Sequence, residues 1–149
     1  MKKIILLLFI FTTSCVYNND ARTQIDYYNS ENTKKLDFPF SDATIVNNII
    51  YVAGQVGNIP GTNEIVLGGI KEETKQTMKN IESVLLALGS SMDKVFKCTC
   101  MLSDISEWGQ MSEEYIKFFK DNKRPSRSAF AGTGLALGAK VEIECWATK

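Results

Sequence analysis

At 149 residues the chain has room for one domain with a real core, and its length argues against two. Its 17 basic and 17 acidic side chains cancel, which leaves no electrostatic footprint for nucleic acid, and none is expected as a partner. It contains no histidine, which excludes the usual Ser-His-Asp and Cys-His machinery and removes the commonest zinc ligand, so no metal or cofactor is expected and chemistry falls to carboxylates, arginine, hydroxyls, thiols and backbone.

The chain opens on "MKKIILLLFIFTTSC", with Lys2 and Lys3 ahead of the apolar run Ile4 to Phe11. That run is far short of the ~20 residues that span a bilayer, so it reads as a secretion signal. It resembles a bacterial lipoprotein signal, in which Cys15 is lipidated and the mature protein is anchored to a membrane, facing the periplasm or cell exterior. Thr12 stands where such signals usually carry leucine, and an ordinary cleaved signal is the alternative. A diacylated cysteine holds a protein stably at a membrane, whereas a single acyl chain gives marginal binding. Metabolic labelling with a palmitate analogue is therefore expected to mark the wild type and not Cys15→Ala. A label that survives the substitution overturns the anchor and leaves secretion alone. The predicted organisation is a signal over 1–14, a polar tether with a possible first strand over 15–35, and one domain over 36–149.

Within the tether, "TQIDYY" has the composition to begin an edge strand. "ATIV" and "IIYVAGQ" read as the arms of a hairpin, with Asn47-Asn48 suited to a tight turn at positive φ. "NIPGTNEIVLGG" is a loop. Ile70, Thr77, Met78, Ile81, Val84, Leu85 and Leu88 then repeat at helical spacing, and Gly89 suits the position just beyond the helix end. "KVFKCTCML" is a strand that points Cys98 and Cys100 to one face, where with Cys145 they read as small buried side chains. A second helix starts near Asp104, with Asp104 and Glu107 spaced as a capping box and Trp108, Met111, Tyr115, Phe118 and Phe119 as its apolar stripe. The chain closes with "RPSRSAF", a glycine-rich turn, and the strand "KVEIECWA". The order hairpin, helix, strand, helix, hairpin predicts an α+β fold, one sheet with two helices on one face.

On the last strand Glu142, Glu144 and Trp146 share one face while Val141, Ile143 and Cys145 share the other. Arg127 lies on the preceding strand. If those two strands pair, its guanidinium and a carboxylate approach each other; spacing alone equally allows a structural ion pair or a solvated face.

The blocks "PFSDATIVNNIIYVAGQVG", "TKQTMKNIESVLLALGSSMDKVFKCTCMLSDISEW", "EYIKFF" and "RPSRSAF…LGAKVEIECWA" resemble, in order, those of the reactive intermediate deaminase family, also called Rid or YjgF. The resemblance implies a chorismate-mutase-like α+β fold, a homotrimer with sites between subunits, and hydrolysis of enamines and imines such as 2-aminoacrylate to 2-oxo acids and ammonia. It places the family's substrate-binding arginine at Arg127, its active-site glutamate at Glu142 and its pocket ring at Phe40. Backbone groups beside the ligand would come from Gly54 and Ala129, with Ser112 and Tyr115 nearby. The chain departs from the pattern at Ala53, Ser112, Ala129 and Ala136, where relatives commonly carry serine, asparagine, cysteine and proline. The alternatives are a non-catalytic extracytoplasmic binder of small carboxylates and, less compatible with the missing histidine and neutral charge, an endoribonuclease.

Overall fold

The computed structural model describes residues 23–149, so the signal expected over 1–14 and Cys15 lie outside the described residues. The first strand, β1 (Ile25–Tyr28), pairs antiparallel with β2 (Ala43–Val46) and confirms the edge strand in the segment otherwise taken as a tether. Between them sits a helix not anticipated from the sequence, α1 (Glu31–Leu36). Its signal was Ser30, whose hydroxyl accepts from the Thr33 amide and caps the first turn. The Thr33 hydroxyl in turn donates to the buried Asp42 carboxylate at 2.7 Å, which pins the helix to the start of β2.

β2 turns into β3 (Ile49–Val56) through Asn47, at φ 54° as the hairpin requires. The long helix α2 (Ile70–Ala87) follows the loop. Gly89 has φ 75°, its amide donates to Leu86 and the Ser90 amide donates to Leu85, a paired closure of the last carbonyls that needs the left-handed residue at this point. After β4 (Val95–Leu102) comes α3 (Trp108–Tyr115), then β5 (Ser126–Ala131) and β6 (Val141–Thr148). The expected capping box is not reciprocal. Asp104 accepts from Ser106, while the Glu107 carboxylate holds Lys140 Nζ at 2.9 Å, because the first turn there, Ile105–Glu107, is a tight 3-10 turn.

The mixed sheet runs β1-β2-β3-β6-β4-β5, and the buried positions of its central strands pack under α2 and α3 around Ile50, Met78, Ile81, Leu85, Met111 and Ile143. The expected terminal hairpin does not form. β6 is paired on both sides, by β3 and by β4, and β5 joins the outer edge of β4 in the parallel sense. A parallel neighbour needs a crossover, which α3 supplies. Arg127 therefore stands beside Cys98, not beside β6.

Cys98 and Cys145 face each other across β4 and β6 with Cα atoms 4.2 Å apart and form a disulfide. All three cysteines are buried as expected, but two of them are bonded and not simply small apolar side chains, because adjacency across β4 and β6 depends on the strand order. Cys100 remains a free thiol, pushed up to about 11 by burial against a smaller opposing influence of Arg127. It is therefore a poor nucleophile.

Candidate active site

The residues proposed from the sequence separate into two groups. The first surrounds Arg127. In β5 alternate residues face α3, and Arg127 and Ala129 share that face with Cys98 and Cys100. The Arg127 guanidinium lies 5.3 Å from the centre of the Trp108 ring and 4.9 Å from that of Tyr115. One of its nitrogens donates to the Ser112 hydroxyl at 3.0 Å. Trp108, Ser112 and Tyr115 fall on one side of α3 at helical spacing, so a single helix face fixes the position of the cation. Arginine carries five donors in a planar fork, and one Ser112 contact leaves donors for an anion.

By its spacing Trp108 belongs to the apolar stripe of the helix, yet it is 46% exposed and covers the arginine. Its four-residue spacing from Ser112 was the available signal. Tyr115 is buried, and its hydroxyl has no hydrogen-bond partner among the described residues. Burial raises its phenol above the usual tyrosine range. Its contribution is the ring beneath Arg127, not a proton.

The second group surrounds Glu142, near the start of β6. Phe40, Gly54 and Glu142 line one cleft of about 490 Å³ between α1, the end of β3 and α2. A Cβ on Gly54 would collide with the Glu142 carboxylate, so glycine is required there for the acid to lie against the β3 backbone. Glu142 is held above the ordinary glutamate range, first by burial and then by the like charge of Glu144. Burial and like-charge repulsion both disfavour the ionised form, which keeps the carboxylate available as a proton acceptor nearer neutrality.

The two groups do not meet within one chain. Met101 on β4 sits opposite both Glu142 and Phe130, whereas Cys98 sits opposite Arg127 and Cys145. Residues directly opposite in paired strands share a face. Arg127 is on the helix side and Glu142 is on the other. The expected approach of the two side chains within the chain is thus corrected, and the cause is the strand order. Among the described residues no cluster of three or more His, Cys, Asp or Glu side chains is arranged to hold a metal ion.

Comparison with known proteins identifies the family and the fold. The family model described as "Endoribonuclease L-PSP" matches residues 33–149. The 2-iminobutanoate/2-iminopropanoate deaminase of Homo sapiens is 39% identical over 106 residues, covering 71% of this chain and 77% of that protein. The crystal structure of an endoribonuclease L-PSP from Entamoeba histolytica is 42% identical, with a TM-score of 0.71 over 75% of this chain and 89% of that one. That of the yeast protein YEO7 is 32% identical, with a TM-score of 0.78 over 85% and 99%. Family match, identity and shared fold agree, and the chain belongs to the endoribonuclease L-PSP family, which includes the reactive intermediate deaminases.

Proposed function

We propose that the protein hydrolyses 2-imino acids and their enamine tautomers to 2-oxo acids and ammonia, as a homotrimer with each site shared by two subunits. The observation that carries this reading is the Arg127 guanidinium, which α3 fixes through Trp108, Tyr115 and Ser112 with donors to spare. Such a fork matches a carboxylate bidentately. The name of the human relative, a 2-iminobutanoate/2-iminopropanoate deaminase, supports the same class of substrate.

Arg127 holds the substrate carboxylate. A water oxygen then bonds to the imine carbon, already electrophilic, while Glu142 takes the water proton. Returning that proton to nitrogen completes a carbinolamine; transfer of its hydroxyl proton to nitrogen, again through Glu142, lets the carbon–nitrogen bond break, so an imine and one water give a 2-oxo acid and ammonia. An enamine first gains a proton at its terminal carbon. Orientation supplies much of the acceleration, because no strong nucleophile is needed.

Since Arg127 and Glu142 lie on opposite sheet faces, one substrate can touch both only when they come from different subunits. The face carrying Glu142 also exposes Phe96 and Phe130 at 41% and 52%, which favours a partner over that surface. A ring of three heterologous contacts satisfies both conditions.

The test is ammonia release from 2-iminopropanoate generated in solution, measured against its spontaneous hydrolysis. The wild type is expected to accelerate release, and Arg127→Ala and Glu142→Gln each to abolish most of the acceleration. Co-refolding the two variants in equal amounts is expected to restore about a quarter of the sites, because in a ring of random subunits that fraction pairs an intact arginine with an intact glutamate. No acceleration by the wild type refutes the enzyme reading and leaves carboxylate binding. No recovery on mixing refutes the shared site.

A further inference from the structure

Within one subunit the cleft beside Glu142 is larger than a three-carbon imino acid. A three-carbon imino acid fills a small part of about 490 Å³. Besides Glu142 and Gly54, the cleft is lined by Leu36, Phe38, Phe40 and Leu137. Phe38 and Phe40 stack with ring centres 5.2 Å apart and planes tilted by 16°, so together they present one extended apolar wall.

Several polar side chains that line the cleft are engaged with the protein, while among the described residues Gln55, Lys79 and Ser83 are not. Asn80 donates to the Val56 and Asn58 carbonyls at 3.0 and 3.1 Å and accepts from Gln76 at 2.8 Å. Asn58 donates to the Thr62 carbonyl, and Thr33 donates to Asp42. A ligand that lies along the Phe38–Phe40 wall meets apolar surface and, at Asn58 and Asn80, amide groups already satisfied, which favours an apolar group there.

Leu137 adds an independent observation. It stands at φ 58°, ψ 15° in the turn before β6, and its side chain is 47% exposed on the cleft. A bulky residue is seldom found in this left-handed region, which glycine and asparagine enter more easily, and such strain gathers at ligand sites. The turn carries an exposed leucine in a conformation that does not suit it, and the side chain borders the cleft that holds Glu142.

We propose that this cleft is a side-chain subsite, formed by Leu36, Phe38, Phe40 and Leu137, which selects imino acids bearing an extended apolar side chain. The inference rests on the deaminase reading and adds a substrate class to it. The carboxylate sits on Arg127, the imine carbon faces Glu142, and the apolar chain runs along the Phe38–Phe40 wall toward Leu137.

The experiment compares kcat/KM for imines made in situ by an amino-acid oxidase, with catalase present, from leucine, alanine and glutamate. The leucine-derived imine is expected to exceed the alanine-derived one by roughly 10-fold or more, the discrimination that a few methylene groups give in an apolar pocket. Leu137→Asn, which suits the left-handed turn and removes the apolar surface, is expected to cut that ratio by about 5-fold or more. Ala136→Phe, which adds bulk at the cleft margin, is expected to slow the leucine imine selectively. Equal rates for the leucine and alanine imines, or a ratio untouched by both variants, overturn the subsite while leaving the deaminase intact. A preference for the glutamate-derived imine also overturns it and assigns the cleft to the exposed Lys79, which borders it. Failure of every imine refutes the deaminase reading itself.

Discussion

Arg127→Ala is expected to lower kcat/KM for imino acids by roughly 10²–10⁴-fold, because two charge-assisted hydrogen bonds to the substrate carboxylate are lost at about 1.5–3 kcal/mol each. Arg127→Lys keeps the charge and loses the fork. An ammonium cannot present two parallel donors in the plane of a carboxylate, so a fall of at least ~10-fold is expected. Lysine also loses the flat stacking on Trp108 and Tyr115 that holds the guanidinium, and its charge is then less well placed. The fold has little stake in this residue, since Arg127 lies on the outermost strand of the sheet and its recorded side-chain hydrogen bond is to Ser112. Circular dichroism and the oligomeric mass are therefore expected to match the wild type. Wild-type rates in both arginine variants would make Arg127 a structural residue and withdraw the carboxylate clamp.

Glu142→Gln is expected to reduce turnover by about 10²–10⁴-fold, the usual contribution of a positioned base, while substrate binding through Arg127 changes little. Binding of a non-reacting 2-oxo acid, measured by calorimetry, separates the two effects. Stability gives a second readout with the opposite sign. Because the pKa of Glu142 is raised in the folded state, its favourable linkage is complete only below the unfolded value and is lost as pH rises through the raised folded value. At neutral pH the ionised carboxylate is therefore a cost to folding, and the uncharged amide is expected to leave the protein as stable as the wild type or slightly more so. A structural glutamate would give the reverse. The acid limb of the pH–rate profile is expected above the ordinary glutamate value, and Glu144→Gln is expected to move it to lower pH by removing the neighbouring negative charge. The displacement is partial, because burial is the larger cause. A limb that stays in place in Glu144→Gln, or a Glu142→Gln enzyme with full turnover, would remove Glu142 from the chemistry.

Local signals carried much of the fold. The positive φ at Asn47, the apolar repeat of α2 and its closure at Gly89 follow from steric and capping rules within a few residues. The inward set Val141, Ile143 and Cys145 against the outward set Glu142, Glu144 and Trp146 follows from the two-residue period of a strand. For the same reason the sequence by itself determined which residue types could do chemistry: without histidine, an arginine on one strand and a glutamate on another were the pair to examine.

Strand order is a different kind of fact. Nothing in "RPSRSAF" or "KVEIECWA" says that β4 lies between β5 and β6, because either hairpin or crossover buries the same apolar faces. The tertiary structure decided it, through a crossover that leaves β5 parallel on the outer edge of β4. That one choice turned Arg127 toward Trp108 and Tyr115, set Cys98 opposite Cys145, and put the arginine and Glu142 on opposite faces of the sheet. Likewise the exposed Trp108 and the left-handed Leu137 acquired a role only from their three-dimensional neighbours. Periodicity fixes which way a side chain points from its own strand or helix, whereas what it points at depends on contacts between residues far apart in the chain.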